Sequence, residues 1–231
     1  MINELEKRLK EKENKEKAKV LQGFFKTEKG EYGEGDIFLG IVVPEQRKIA
    51  KEFKHLDLKE IKELLDSKIH EKRLISLLIL IEKYEIYEDK KEIFDFYIKN
   101  TQKINNWDLV DLSAPQIVGN YLKDKNRKIL YDLVKSENLW EKRIGIISTL
   151  TFIRNYEYID TINLAEILLN DKHDLIQKAV GWMLREVGKK DEPVLENFLK
   201  IHYKVMPRTM LRYAIERFEE SKRKKYLKGE I

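Results

Sequence analysis

Trp107 and Asp111 stand four residues apart in the run Asn105-Asn106-Trp107-Asp108-Leu109-Val110-Asp111. On a helix that spacing puts both side chains on one face, an aromatic plate beside a carboxylate. Such a pair suits a planar cation, drawn to the ring face and neutralised by the acid. The same residue types also serve plainer ends: a ring packed in the core, and a carboxylate solvated in a first helical turn. A second arrangement lies in Ala179-Val180-Gly181-Trp182-Met183-Leu184-Arg185, where Arg185 follows Trp182 by three positions and shares its face. Gly181 costs this helix about 1 kcal/mol of propensity, which predicts close approach of another group to its backbone. The third tryptophan, Trp140, sits at a helix start and reads as core packing.

Other chemistries drop out. There is no cysteine, so thiol catalysis, iron–sulfur clusters, Cys-ligated zinc and disulfide frameworks are excluded. His55, His70, His173 and His202 are scattered, and none pairs with another at helical metal-ligand spacing. The glycine-rich stretch Lys29-Gly-Glu-Tyr-Gly-Glu-Gly-Asp36 matches no nucleotide-loop pattern. Its three acids would repel phosphate, and it lacks the aspartate spacing of a calcium loop. It reads as a connection needing positive φ at Gly33 and Gly35, leading to Pro44 at a helix start.

The elements that must position these residues are helices. Of 231 residues only 10 are glycine and 4 proline, too few for a fold that turns every few residues. Asp57-Leu-Lys-Glu60 is a capping-box signature, followed by an apolar stripe at Leu58, Ile61, Leu64 and Leu65. Residues 71–84 are too apolar for a surface helix and predict one buried on most sides. Helix pairs recur: Arg73, Arg143 and Lys178 are spaced by 70 and 35, Trp107-Asp108 occupies the missing position, and Arg208 follows after 30. Two helices per unit of about 35 residues is the signature of an α-solenoid, and without the tetratricopeptide consensus it reads as HEAT-like. The expected fold is therefore all-α, a single solenoid of HEAT-like repeats over 1–231 with a concave basic face.

The net charge of +5 is uneven. Lys200 to Ile231 holds ten Lys/Arg against four Asp/Glu, a net +6, so the rest of the chain is nearly neutral. That segment is either a solvated terminal helix or a polyanion contact. No run is long and apolar enough to span a bilayer, and the charged start MINELEKRLKEKENKEK has no signal-peptide core; a cytoplasmic protein without membrane attachment is expected.

The stretches FFKTEKGEYGEGDIFLGIVVPEQRKIA (24–50), INNWDLVDLSAPQIVG (104–119), LWEKRIGIIST (139–149) and QKAVGWMLREVGKKD (177–191) together resemble the AlkD family of bacterial DNA alkylation-repair glycosylases. The resemblance covers nearly the whole chain. It implies a HEAT-like solenoid that holds duplex DNA and removes N3- and N7-alkylated purines without metal or cofactor. It implies a monomer, and a lesion left largely stacked in the duplex, with no deep base pocket. By the same resemblance Trp107, Asp111 and Trp182 are the catalytic set and Arg143 a phosphate contact. The cation series extends the expected DNA surface to Arg73, Lys178, Arg185, Arg208 and Arg212. The competing expectation is a non-catalytic HEAT-like scaffold for distorted or branched DNA or for a protein partner.

Overall fold

Asp57 starts its helix as its sequence predicts: the side chain accepts from the Glu60 amide at 2.8 Å, and Glu60 accepts from the Asp57 amide at 3.2 Å. Asn14, Asp89, Asn138 and Asp191 likewise cap the helices that follow them with their side chains. In the computed structural model, which describes residues 1–231, the chain is helical, with one isolated parallel bridge between Ile37 and Ile69. It divides into two compact units, Met1–Ser113 and Ala114–Ile231.

The first unit comprises α1 (Ile2–Lys12), α2 (Lys15–Phe24), α3 (Val43–Glu52), α4 (Leu58–Leu65), α5 (His70–Ile86), α6 (Lys90–Lys99) and α7 (Trp107–Ala114). Helix α5 is the expected apolar one; Leu74, Ile75, Leu77, Ile79 and Leu80 are all buried, and α3 and α4 pack against it. Between α2 and α3 the glycine-rich segment is fastened by the bridge, in which the Ile37 amide donates to Lys68 and the His70 amide to Ile37. Gly40 is the fixed point of this segment. Its φ is +81°, and a Cβ there would stand 2.1 Å from the Asn14 carbonyl oxygen. Gly35 has the expected positive φ, but Gly33 does not; a Cβ at Gly33 would instead strike the Phe25 carbonyl oxygen at 2.5 Å. The constraint at Gly33 is close approach rather than handedness.

The second unit opens with a π-helical turn, Pro115–Gly119, and continues through α8 (Asn120–Leu122), α9 (Lys128–Leu133), α10 (Leu139–Ser148), α11 (Leu150–Arg154), α12 (Ile159–Ile167), α13 (Asp174–Lys190), α14 (Glu192–His202), α15 (Arg208–Ala214) and α16 (Glu220–Lys228). Helix α13 is its centre, packed by α10, α14 and α15. Gly181 explains the α15 contact: a Cβ there would lie 2.5 Å from both the Met210 carbonyl oxygen and the Tyr213 Cβ. The group predicted to approach Gly181 is thus a helix of the same unit. Trp140 is buried, as its sequence position suggested.

Candidate active site

In the first unit α7 brings the predicted pair together. Trp107 and Asp111 line the same pocket, of about 430 Å³, walled mainly by Phe24, Phe25, Phe38, Ile41, Val42 and Leu112. Trp107 stacks on Phe25 with centroids 5.0 Å apart and planes 12° from parallel, while Phe24 meets it edge-on at 5.9 Å. Its indole N–H lies 3.3 Å from the Tyr32 hydroxyl, the acceptor. The connection that leads from the glycine-rich segment to Pro44 therefore supplies part of the wall, Phe38, Ile41 and Val42, while Tyr32 within the segment meets the Trp107 indole.

The pocket's polar groups divide sharply. Glu71 is 0 % exposed, and its carboxylate accepts from the amides of Leu39, Gly40 and Ile41 at 2.8–3.3 Å. Gln46 donates to the Ile41 carbonyl. Asp108 is buried; one carboxylate oxygen lies 2.8 Å from His70 Nε2, and the other accepts from the Leu109 amide. Glu71 and Asp108 thus hold backbone or neighbours, and Gln46 does so through its amide nitrogen while its Oε1 is buried without a partner. Asp111 is half-buried on the pocket wall, the more exposed of the two acids of α7. Spacing singled out Asp111 as the acid on the face of Trp107, and burial separates it from Asp108 as well.

Helix α7 is held at both ends. At its first turn His70 bridges Asp108 and Asp36, with Nδ1 3.2 Å from the Asp36 carboxylate. Burial opposes a charge on His70, but the two carboxylates outweigh it and hold its pKa above the ordinary histidine value. At the last turn the buried Tyr97 hydroxyl and Ser113 hydroxyl lie 2.8 Å apart. Burial, with a further push from the charge of Asp111, drives the Tyr97 phenol well above its usual pKa. Asp111 thus projects from a short helix whose two ends are fixed by buried polar contacts.

Two of the six cations expected to meet phosphates are spent inside the protein. Arg73 is 4 % exposed, with its guanidinium on Asp36 at 2.6 Å and on the Ser67 carbonyl at 2.9 Å. Its position in a first helical turn suggested solvent; the loop that folds over it corrects that expectation, and Arg73 secures the glycine-rich segment instead. Arg143 is 5 % exposed and donates from Nη1 to the Leu175 carbonyl, anchoring the first turn of α13. The remaining four lie in the second unit nearer its surface. Arg208 and Arg212 are exposed. Lys178 is paired with Asp174 at 2.6 Å, and Arg185 is paired with Glu216 and Glu186. Trp182 is half-buried on α13, its indole N–H donating to Glu186 at 3.2 Å.

No cluster of three or more His, Asp or Glu stands where it could hold a metal ion, and no helix is long and apolar enough to cross a membrane. The fold is an all-helical repeat protein, with an acid set in an aromatic pocket of its first unit. A family model described as "DNA alkylation repair enzyme" matches residues 5–218, and the chain belongs to that family. Among solved structures it is similar to a predicted DNA alkylation repair enzyme from Enterococcus faecalis, at 18 % identity and TM-score 0.71 over 90 % of this chain and 98 % of that one. It is also similar to AlkD2 from Streptococcus mutans, at 19 % identity and TM-score 0.56, covering 89 % and 99 % of the two chains. A third likeness is to smu.31 of Streptococcus mutans UA159, at 20 % identity and TM-score 0.55, covering 77 % and 92 %. At these identities the structural likeness establishes the fold. No curated protein matches the chain.

Proposed function

We propose that this member of the DNA alkylation repair enzyme family is a DNA glycosylase, acting as a monomer on duplex DNA and hydrolysing the N-glycosidic bond of cationic N3- and N7-alkylated purines. The observation that carries the reading is the placement of Asp111, half-buried, beside Trp107 on the wall of an apolar pocket.

Alkylation at N3 or N7 leaves the purine positively charged, so it departs as a neutral base and needs little protonation. Positive charge then develops on the sugar as the C1′–N bond breaks, and water adds to C1′ with loss of a proton. The barrier is lowered by a negative charge fixed beside that sugar, the electrostatic problem that glycoside hydrolysis also solves with a carboxylate. Asp111 supplies the charge and orients the water. The apolar surroundings strengthen its effect by excluding competing solvent dipoles. Trp107 packs against the deoxyribose. In the second unit Trp182 is assigned a contact to the damaged nucleotide, and exposed Arg208 and Arg212, with Lys178 and Arg185, the backbone phosphates. Arg143 acts by setting the first turn of the helix that carries Trp182. Lesion choice follows from the charge and lability of the bond, since the pocket wall offers little with which to read a base edge.

The test is excision from a defined duplex carrying one 7-methylguanine, scored by alkaline cleavage at the abasic site. Cleavage at the lesion and none in the unmodified duplex supports the reading. Tight duplex binding without cleavage would replace it with the scaffold.

A further inference from the structure

His70 lies outside the assigned chemistry, yet it touches the lesion-facing helix by two separate routes. The first is polar. Its Nε2 stands 2.8 Å from Asp108 on α7, and its Nδ1 3.2 Å from Asp36 in the glycine-rich segment. Both partners are carboxylate oxygens, which accept only. A neutral imidazole has one N–H and can satisfy one of them; the imidazolium satisfies both. The second route is through rings. His70 stacks on Phe38 at 4.5 Å and lies 5.0 Å from Phe25, which in turn stacks on Trp107. The charged groups around the imidazole are Asp36 from the segment, Asp108 from α7, and Arg73 and Glu71 from α5 itself. Arg73 shares the same Asp36 oxygen, and Glu71 is satisfied by backbone amides. Three carboxylates and two cations then share a buried site, and removing one imidazolium proton leaves one of the two bridged carboxylates facing a bare ring nitrogen.

We infer that His70 is a positioning residue for the Trp107–Asp111 face: as a cation bridging Asp36 and Asp108 and closing the ring stack beneath Trp107, it sets how α7 presents the carboxylate. The functional part of this inference rests on the proposed glycosylase reading. Deprotonation slackens the first turn of α7 and moves Asp111 relative to C1′, while duplex binding, which depends on cations elsewhere, is unaffected.

The experiment compares the full-length wild type with His70→Gln and Asp36→Asn. It measures single-turnover excision of 7-methylguanine, duplex binding and melting temperature from mildly acidic to alkaline pH. Wild-type excision falls on an alkaline limb with binding unchanged. His70→Gln is slower by on the order of ten- to a hundredfold at neutral pH, the scale of a small misplacement of a catalytic group, and has no such limb. Asp36→Asn, which removes one of the two acids, moves the limb to lower pH. The inference is overturned if His70→Gln keeps the wild-type rate and limb, if binding falls in step with excision, or if melting falls while the folded fraction excises normally. Should His70→Gln fail to fold, the limb of Asp36→Asn decides, and an unmoved limb overturns the inference. A second readout is independent of excision. With Trp140 and Trp182 replaced by Phe, the emission of Trp107 titrates with pH, and His70→Gln abolishes that transition. If the wild type excises no alkylpurine, the glycosylase reading fails, and this fluorescence titration alone judges the positioning of Trp107: a transition that survives His70→Gln, or none in its presence, overturns it.

Discussion

The two units carry the sequence-nominated residues in different ways. In the first, Trp107 and Asp111 converge on a pocket and are braced by a buried polar network of His70, Asp36, Asp108 and Arg73 and by Glu71 in its cradle of amides. In the second, Trp182, Arg185 and Lys178 lie along one helix, paired with neighbouring acids, while Arg208 and Arg212 are exposed. The difference teaches a division of labour. A group that must stabilise charge at one atom needs a fixed, poorly solvated place, whereas groups that neutralise phosphates can stay near water and exchange one anion for another. Substitutions in the bracing network of the first unit should therefore disturb folding and chemistry together, and those of the exposed cations in the second mainly binding.

The largest stability effect that breaks or sharpens this contrast is at Glu71. Glu71→Leu orphans three amide donors at once, each worth roughly 1–3 kcal/mol when left unpaired, so a loss of about 3 kcal/mol or more is expected in chemical denaturation. Lys224→Ala, which removes an exposed pair with Glu220 in the second unit, should leave stability close to wild type. Equal losses at the two sites would erase the contrast.

The tryptophans come next. Trp107→Ala takes a ring out of a stack with Phe25 and should lower both melting temperature and excision, the stability loss staying below the roughly 3–5 kcal/mol of a fully buried ring because Trp107 is half-buried. Trp182→Ala should lower excision while the melting temperature stays close to wild type. A collapse of melting in Trp182→Ala with normal activity of the folded fraction would move Trp182 into the core.

The pH dependence of stability is smaller and has a definite sign. The His70 pKa is raised in the folded protein, so its contribution is fully present below the unfolded histidine value and is lost as pH rises through the folded value. Thermal melts should show a loss on the alkaline side of neutrality that His70→Gln lacks. A wild-type curve flat across that window would mean that the imidazolium contributes nothing.

Salt reports the smallest effect. Each phosphate neutralised adds about −0.9 to the slope of log binding constant against log salt, so Arg208→Ala and Arg212→Ala should each flatten it by about that amount. Arg73→Ala should instead destabilise the first unit, because it leaves Asp36 without its guanidinium. A flattened slope in Arg73→Ala at unchanged stability would restore Arg73 to the DNA surface.

What was legible from sequence is what is local. The Asp57–Glu60 capping box, the buried course of α5 and the shared face of Trp107 and Asp111 all follow from spacings of three or four residues. The bracing of the site was not legible, because its contacts span long stretches of chain: His70 meets Asp108 across 38 residues and Asp36 across 34. Arg73 misled for the same reason, since a cation in a first helical turn looks solvated until the loop carrying Asp36 is laid over it. Phe24, Phe25 and Phe38 flank or end a segment rich in glycine and acids, and only the fold turns them towards Trp107.

The central claim is that two acids three residues apart on α7 do different work, Asp108 holding the helix and Asp111 meeting the sugar cation. Single-turnover excision of 7-methylguanine by Asp111→Asn, with melting and duplex binding measured on the same preparation, tests it most directly. The substitution keeps the shape and removes the charge. Excision should fall by about 10²–10³, equivalent to roughly 3–4 kcal/mol, with melting and binding near wild type, because the lost interaction is stronger in the transition state than in the ground state. Excision within a few-fold of wild type would contradict the account.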